Sequence, residues 1–161
     1  ANWQGKIWPA ERFAELALRL TGPDGPWPQG RIAVFGGPGE EALACPVLQA
    51  LPAERRIDLV GAHHLLDVAE ALRRCAVFVG NDSGLMHLSA AAEVPTVGLF
   101  GPSRVEHYAP WGPAGEAVTT AIPYDDLFGP GYHRHTTGTL MGTLSVDMAE
   151  DGVRRLLERL P

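Results

Sequence analysis

The chain has 161 residues, is 45% hydrophobic and 20% charged, and carries a formal net charge of −6. This length is typical of one domain with a sizeable core, the apolar content excludes a disordered chain, and no apolar run reaches the roughly 20 residues of a membrane-spanning helix. The acidic excess argues against nucleic-acid binding, which requires surplus Lys and Arg. The sequence does not open with a signal peptide. We therefore expect a soluble, single-domain, cytoplasmic protein over residues 1–161.

Hydrophobic periodicity and frequent Gly and Pro residues predict helices and strands that alternate along the chain. The predicted helices cover residues 11–20, about 40–51, 65–74, 84–92, 104–108 and 146–160. The predicted strands cover residues 31–35, 57–60, 76–79, 96–100 and, less regularly, 117–120, and residues 123–142 are predicted to be irregular. Short apolar strands alternating with amphipathic helices predict a doubly wound α/β fold with a mostly parallel, buried sheet.

Each of the first four predicted strands is followed directly by Gly, in the loops 36–40, 61–64, 80–84 and 101–103. Ligands of such sheets bind beyond the carboxyl ends of the strands, and Gly lets a ligand approach the backbone closely. Tight strand-to-helix turns are the alternative explanation for the same pattern.

The most informative loop joins the third strand to a helix with the sequence Asn-Asp-Ser-Gly at residues 81–84. Asp82 or Ser83 is a natural N-cap, and the free N–H groups and positive dipole of a helix start favour a phosphate. Gly84 leaves room for an anion, and His87 lies one turn further on the same face, where it can donate to a diphosphate oxygen. A capped helix with a locally bonded His is an equally weighted alternative.

Three further residues are weaker candidates. Lys6 precedes the first helix and is a compact charge suited to a phosphate, although a solvated loop Lys has the same sequence signature. Glu40 and Glu41 follow a Gly-rich turn, where an acidic residue accepts from ribose hydroxyls or simply complements a helix dipole. Cys45 and Cys75 show no zinc-ligand spacing and are expected to be small buried residues.

Other chemical motifs are absent from the sequence. There is no GxxxxGK[ST] phosphate loop, no strand that ends in GxGxxG and no GxSxG nucleophile elbow. The histidine clusters at 63–64 and 133–135 lack partners at metal-ligand spacing, so they are interpreted as solvated loops and no metal site is predicted.

Three segments together resemble glycosyltransferase family 9, the heptosyltransferases of lipopolysaccharide core synthesis and their relatives. The run FVGNDSGLMHLSAAAEVPTVGLFGPSRVEHYAPWGP at 78–113 is similar to the family's main signature, with the pattern D-[ST]-G-x-x-H followed by P-x-[VI]-x-L-F-G-P. The opening NWQGKIWPAERFAELA at 2–17 resembles a second signature, in which Lys precedes Trp-Pro, and the Gly-Gly turn at 36–40 resembles a third.

The resemblance implies the C-terminal half of a GT-B enzyme, in which two Rossmann-like domains face a cleft. Such enzymes transfer a sugar from a nucleotide-diphospho-sugar, ADP-heptose in the heptosyltransferases, with inversion and without an essential metal or cofactor. By the same resemblance, Lys6 pairs with the donor phosphates and Glu40 or Glu41 meets the ribose. The diphosphate and sugar are held at Asp82, Ser83, Gly84 and His87, where fixed donors stabilise the charge on the leaving group.

The resemblance covers only the donor-binding half of the family. The N-terminal half, with the general base and the site for a glycan or lipid-linked acceptor, has no counterpart here, and neither does the strand that normally precedes the Asn-Trp segment. We therefore expect this chain to be one domain of a larger bacterial protein. The domain is expected to contain no catalytic residue and to bind the donor without transferring its sugar. The larger protein is expected to associate peripherally with the inner membrane.

Two alternatives remain open at this stage. A nucleotide-sugar epimerase of the same architecture also places Asp-Ser-Gly at a helix start, but usually continues with another Gly and an acidic residue, where this chain has Leu85-Met86-His87. A non-catalytic transferase-like module of a multidomain protein is the second alternative.

Overall fold

A computed structural model describes residues 3–61, 63–135 and 138–161. The helices are α1 (Ala10–Leu20), α2 (Glu41–Ala50), α3 (Leu65–Leu72), α4 (Gly84–Ala91), α5 (Val105–Tyr108) and α6 (Val146–Arg159). The strands are β1 (Ile32–Gly36), β2 (Arg56–Val60), β3 (Phe78–Asn81), β4 (Thr96–Phe100) and β5 (Gly115–Thr119), with short 3-10 turns at Gln4–Lys6, Ala53–Arg55 and Tyr124–Asp126. Ala62 of the second predicted loop and Asn2 of the second signature lie outside the described residues.

The described residues form two compact units, a smaller one from Ala10–Val68 and a larger one that combines the segment up to Pro9 with Ala69–Pro161. In the smaller unit β1 pairs in parallel with β2, and α1 and α2 pack on each other around a small apolar core. Its buried members are Ala14, Ala17, Val47 and Leu51. We predicted a buried β1, but all five of its residues are only half-buried, because a two-stranded sheet makes each strand an edge.

In the larger unit the parallel sheet has the order β3-β4-β5. The central strand β4 is buried along its whole length, as its apolar sequence predicts, since it has a neighbour on each side. Helix α4 packs on β3 and β4, and α6 packs on β4 and β5. The largest buried side chains of this unit are Trp8, Leu72, Met86, Leu99, Phe100, Met141, Leu144 and Leu156.

The predicted parallel α/β fold is confirmed, with its five strands divided between two sheets. Strand β3 lies two residues further along the chain than predicted. The reason is tertiary: Asn81 pairs with Leu99 of β4, and the Asp82 N–H donates to the Leu99 carbonyl at 3.2 Å. The β4 ladder therefore fixes Asn81 and Asp82 at the carboxyl end of the sheet.

Helix α3 buries Ala69 and Leu72, whereas Leu66 is 70% exposed. The predicted burial of the two cysteines is wrong. Cys45 and Cys75 are half-buried free thiols, and burial raises the pKa of the Cys75 thiol. Within the part of the chain that the structure describes, no helix is long and apolar enough to span a membrane.

Candidate functional site

The N-terminal segment that carries Lys6 is anchored to the end of β3 by the tryptophan that follows it. Trp8 is fully buried, and its indole Nε1 donates to the Leu144 carbonyl at 2.8 Å. Its backbone N–H donates to the Asn81 side-chain oxygen at 2.9 Å. Because a buried, hydrogen-bonded Trp has little freedom, Lys6 is held within reach of the loop that follows Asn81.

Lys6 and Asp82 form an ion pair at this loop. The Lys6 Nζ lies 2.6 Å from Asp82 Oδ2, and the Asp82 side chain is only 5% exposed. On the other side, His87 Nε2 lies 3.8 Å from Asp82 Oδ1. A buried carboxylate requires a charged partner, so Asp82 orients the two basic side chains around itself. We call these three residues the Lys6–Asp82–His87 cluster.

Ser83 occupies the N-cap position of α4 with an extended backbone, as predicted, but its side chain makes no capping hydrogen bond. The His87 N–H donates to the Ser83 carbonyl at 3.3 Å, which closes the first turn. A helix start without its side-chain cap leaves amide donors for an external oxyanion. This departure from the predicted cap favours the ligand interpretation over the simple capped helix.

Open space lies in front of Gly84. A Cβ built on this residue would meet no atom of the described residues within 4 Å. Other glycines of the strand-end loops have local explanations, because a Cβ on Gly101 would collide with Met141 Sδ and Gly61 has a φ of +120°. Tight packing therefore accounts for Gly101 and a left-handed backbone accounts for Gly61, whereas neither applies to Gly84, where a ligand role stays a prediction.

Glu40 and Glu41 lie in the smaller unit, at the start of α2. Glu40 Oε2 accepts from the Gly37 N–H at 2.7 Å, and Glu41 Oε1 accepts from the Gly39 N–H at 3.2 Å. Both carboxylates thus bond amides of the Gly-rich turn, which agrees with the helix-start alternative. Their role at a ribose stays a prediction.

A pocket of about 330 Å³ opens in the larger unit beside the Lys6–Asp82–His87 cluster. Its charged lining consists of Lys6, Arg104 and Arg134, with no acidic side chain among the lining residues. Arg104 and Arg134 were missed by the sequence analysis. Arg104 follows the carboxyl end of β4, which is a signal that could have identified it, whereas the region around Arg134 carries no recognisable motif.

Aromatic rings form much of the remaining wall of this pocket. The lining includes Trp3, Tyr108 and Tyr124. The Lys6 Nζ lies 5.6 Å from the centre of the Tyr108 ring, within the range of a cation–π contact. The pocket therefore combines positive charge with flat apolar surfaces, a combination suited to an anionic ligand that also carries a ring.

Within the described ranges, no group of three or more His, Cys, Asp or Glu residues is arranged to hold a metal ion. The positive charge of the site comes from Lys, Arg and the start of α4.

Comparison with known proteins identifies the family to which this chain belongs. Residues 1–126 match the model of glycosyltransferase family 9 (heptosyltransferase). The chain is 35% identical over 109 residues to lipooligosaccharide heptosyltransferase 2 of Haemophilus influenzae, covering 65% of the chain and 30% of that protein. It is 28% identical over 159 residues to lipopolysaccharide heptosyltransferase 2 of Salmonella typhimurium, covering 96% of the chain and 42% of that protein.

Solved structures agree with the sequence matches. The ADP-heptose heptosyltransferase II of Escherichia coli aligns with a TM-score of 0.73 and 26% identity, over 98% of this chain and 44% of that one. The E. coli heptosyltransferase WaaC, solved with ADP, shares the fold with a TM-score of 0.72 at 20% identity, over 97% of this chain and 42% of that one.

This chain belongs to glycosyltransferase family 9, and its fold is that of a GT-B heptosyltransferase. It spans less than half the length of these relatives and corresponds to their C-terminal part. The predicted family and fold are thereby confirmed, and the match favours a transferase over the epimerase alternative.

Proposed function

We propose that this chain is the donor-binding part of an inverting, metal-independent heptosyltransferase that uses a nucleotide-diphospho-sugar, with ADP-heptose as the donor, in lipopolysaccharide synthesis. The observation that carries the proposal is the Lys6–Asp82–His87 cluster beside the uncapped start of α4. Relatives named for heptosyl transfer and for ADP-heptose support the choice of donor.

The chemistry of the site suits a diphosphate. Lys6 is paired with Asp82, which directly precedes the N-cap of α4, and open space lies at Gly84. A phosphate placed there would meet the helix dipole close to a full positive charge. Asp82 keeps Lys6 in place before the ligand arrives, which lowers the entropy lost on binding. His87, half exposed, is free to reach a second phosphate oxygen or a sugar hydroxyl.

The same groups stabilise the leaving group. When the bond between the sugar and the diphosphate breaks, negative charge grows on the diphosphate oxygen, and prepositioned donors lower the energy of that transition state. Lys6 and the helix amides supply the charge compensation that a metal ion provides in other transferases. The general base that activates the acceptor hydroxyl is proposed to lie outside this chain.

Our proposals about the acceptor and about membrane association rest on the family and not on the geometry of this site. We infer that the whole protein acts in bacteria at the cytoplasmic face of the inner membrane, where it is peripherally associated and binds a glycan or lipid-linked acceptor. A fractionation experiment on cells that express the full-length protein tests this, and recovery outside the cytoplasmic and inner-membrane fractions would contradict it.

Calorimetric titration of the chain with ADP, UDP and GDP tests the donor site. ADP is expected to bind, and His87→Ala and Lys6→Ala are each expected to weaken it about tenfold, as expected for a lost charge-assisted hydrogen bond. Arg74→Ala is the matched control, because Arg74 is an exposed cation of the same unit outside the site. If no nucleotide binds at millimolar concentration while circular dichroism shows a folded chain, the proposal fails.

A further inference from the structure

The backbone turn that carries Lys6 makes one set of contacts with the end of β3. Lys6 ends a short 3-10 turn, and its ammonium lies 2.6 Å from Asp82 Oδ2. Two residues further on, the Trp8 N–H donates to the Asn81 side-chain oxygen. These contacts come from residues 6 and 8, and the residues between and before them contact a different part of the chain.

The second set of contacts joins this turn to a segment late in the chain, residues 132–135 and 138–140, which we call the strap. Three alternate residues of the N-terminal segment bond the strap. The pairs, with the N-terminal residue first, are Trp3 Nε1 with the Arg134 carbonyl at 3.0 Å, the Gly5 carbonyl with the Leu140 N–H at 3.0 Å, and the Ile7 carbonyl with the Thr139 hydroxyl. The turn is therefore bonded both to the strap and to the end of β3.

Trp3 makes the most extensive of the contacts between the turn and the strap. A Cβ built on Gly5 would lie 2.7 Å from Trp3 Cε2, so the indole lies directly against the Gly5 backbone. The same indole meets the Tyr132 ring edge-to-face, with the ring centres 6.4 Å apart. The Lys6 N–H donates to the Trp3 carbonyl at 3.0 Å. Trp3 thus contacts the strap through its side chain and Lys6 through its backbone.

A row of aromatic rings attaches the strap to the carboxyl end of the larger sheet. The Phe128 ring lies edge-to-face with Tyr132 and with Tyr124, at 4.9 Å and 5.2 Å between ring centres. The guanidinium of Arg104, which follows the carboxyl end of β4, lies 4.4 Å from the centre of the Tyr124 ring. Such contacts restrict the rings that form them, so the Trp3 indole is joined to a connected row of side chains.

We propose that Trp3 is a positioning residue for the donor diphosphate, which acts by holding the Lys6 ammonium in place through the contacts with the strap. The inference rests on the proposed function, because the diphosphate is the group that Lys6 is proposed to meet. A long Lys side chain loses conformational freedom when it binds a ligand, and a fixed backbone reduces that loss. Trp3 therefore raises the affinity for the donor without binding the donor itself.

A double-mutant cycle on ADP binding, measured by calorimetry, tests whether Trp3 acts through Lys6. The cycle is needed because Trp3 also lines the pocket beside the cluster and could contact a ligand there. Trp3→Ala is expected to weaken ADP binding about fivefold in the unmodified chain and less than about twofold in Lys6→Ala, where no ammonium remains to be positioned. Equal effects of Trp3→Ala in the two chains would overturn the proposal.

Two milder variants test the same contacts if Trp3→Ala does not fold by circular dichroism. Trp3→Phe keeps an aromatic ring but loses the indole N–H, and Thr139→Val removes the hydroxyl that donates to the Ile7 carbonyl. Each is expected to weaken ADP binding about twofold in the unmodified chain and to have no effect in Lys6→Ala. A loss that persists in Lys6→Ala would overturn the proposal.

Trp111→Ala is the matched control for the loss of a tryptophan. Trp111 belongs to the same unit and is 85% exposed, so its removal is expected to leave the affinity for ADP unchanged. A loss as large as that of Trp3→Ala would show that the effect does not depend on the strap and would overturn the proposal.

Urea denaturation without ligand distinguishes this proposal from the donor function. Lys6→Ala is expected to lower the midpoint urea concentration, and to lower it less than about half as much in Trp3→Ala, where the Lys6–Asp82 pair is already loosened. If ADP does not bind but urea shows this coupling, the donor function fails and Trp3 still positions Lys6. If ADP binds but the two losses add in both experiments, the positioning role fails and the donor function stands.

Discussion

Asp82 illustrates how a single buried charge organises this site. It follows the last residue of β3, it is almost completely buried, and it faces an ammonium on one side and an imidazole on the other. Because a buried carboxylate cannot remain unpaired, the residue that looks like a helix cap in the sequence acts as the anchor for Lys6.

The ion pair is asymmetric, and the asymmetry predicts the effect of removing each partner. Lys6→Ala removes the ammonium 2.6 Å from a 5% exposed carboxylate and leaves the His87 imidazole 3.8 Å away, whereas Asp82→Ala leaves a Lys side chain that is 26% exposed and can reach water. We expect Lys6→Ala to lower the free energy of unfolding by about 2–4 kcal/mol and Asp82→Ala by about 1–2 kcal/mol. Urea denaturation measures both values.

Asp125→Ala is the control for that pair of variants, because it breaks an ion pair whose carboxylate is 77% exposed. It is expected to change the free energy of unfolding by less than about 0.5 kcal/mol. An equal loss for all three variants would contradict the role assigned to burial.

Cys75 gives a second prediction at the residue scale. Burial raises the pKa of its thiol, so less thiolate is present at pH 8 than for a free cysteine. Its alkylation by iodoacetamide is expected to be several-fold slower in the folded chain than in urea, as followed by peptide mass spectrometry. Equal rates in both conditions would show that the thiol is not protected.

At the scale of the elements, two helical glycines serve opposite purposes. Gly152 of α6 faces the sheet so closely that a Cβ would collide with Val118 of β5, and it would also contact Val97 of β4 at 3.6 Å. Gly84 of α4 faces open space. The first glycine permits close packing of a helix on a sheet, and the second leaves room for a ligand.

Alanine substitutions distinguish these purposes and control for each other. In Gly152→Ala, overpacking of about 1–3 kcal/mol outweighs the gain of about 1 kcal/mol in helix propensity, so we expect lower stability. Gly84→Ala is expected to leave stability equal or slightly raised but to weaken ADP binding, because the methyl group occupies the proposed phosphate position. Thermal unfolding and calorimetry measure the two effects, and reduced stability of Gly84→Ala would contradict this assignment.

At the scale of the whole molecule, the chain spans less than half the length of its relatives. Its candidate site contains the groups that we propose bind the donor, and none that we propose as the general base. We expect the chain alone to bind ADP-heptose but to transfer no heptose to a lipopolysaccharide acceptor, as measured by mass spectrometry of the acceptor. The full-length protein is the positive control. Transfer by the chain alone would require a base among the described residues and would contradict the assignment.

Much of the larger unit could be predicted from local sequence. The order of helices and strands follows from apolar periodicity and from Gly and Pro positions, and β4 is recognisable because a central strand requires apolar residues on both faces. The sequence Asn-Asp-Ser-Gly identifies the start of α4 because a strand end and a helix start are both encoded locally.

The pocket could not be predicted in the same way. The Trp3 indole donates to the Arg134 carbonyl across 131 positions of sequence, and the pairing of Arg104 with Asp125 spans 21. No periodicity or spacing encodes contacts between residues so distant, since they arise only when the sheet has brought separate loops together.

The sequence by itself determined the family, the parallel α/β fold and the position of the helix start that we propose binds an anion, because each depends on short-range patterns of apolar, Gly and acidic residues. Only the tertiary structure decided that Lys6 forms an ion pair with Asp82 and that the Ser83 side chain does not cap α4. It also decided that Ser103 and Arg104 line a pocket with Lys6. Those outcomes depend on burial and on the direction of side chains, which are set by long-range packing and not by neighbouring residues.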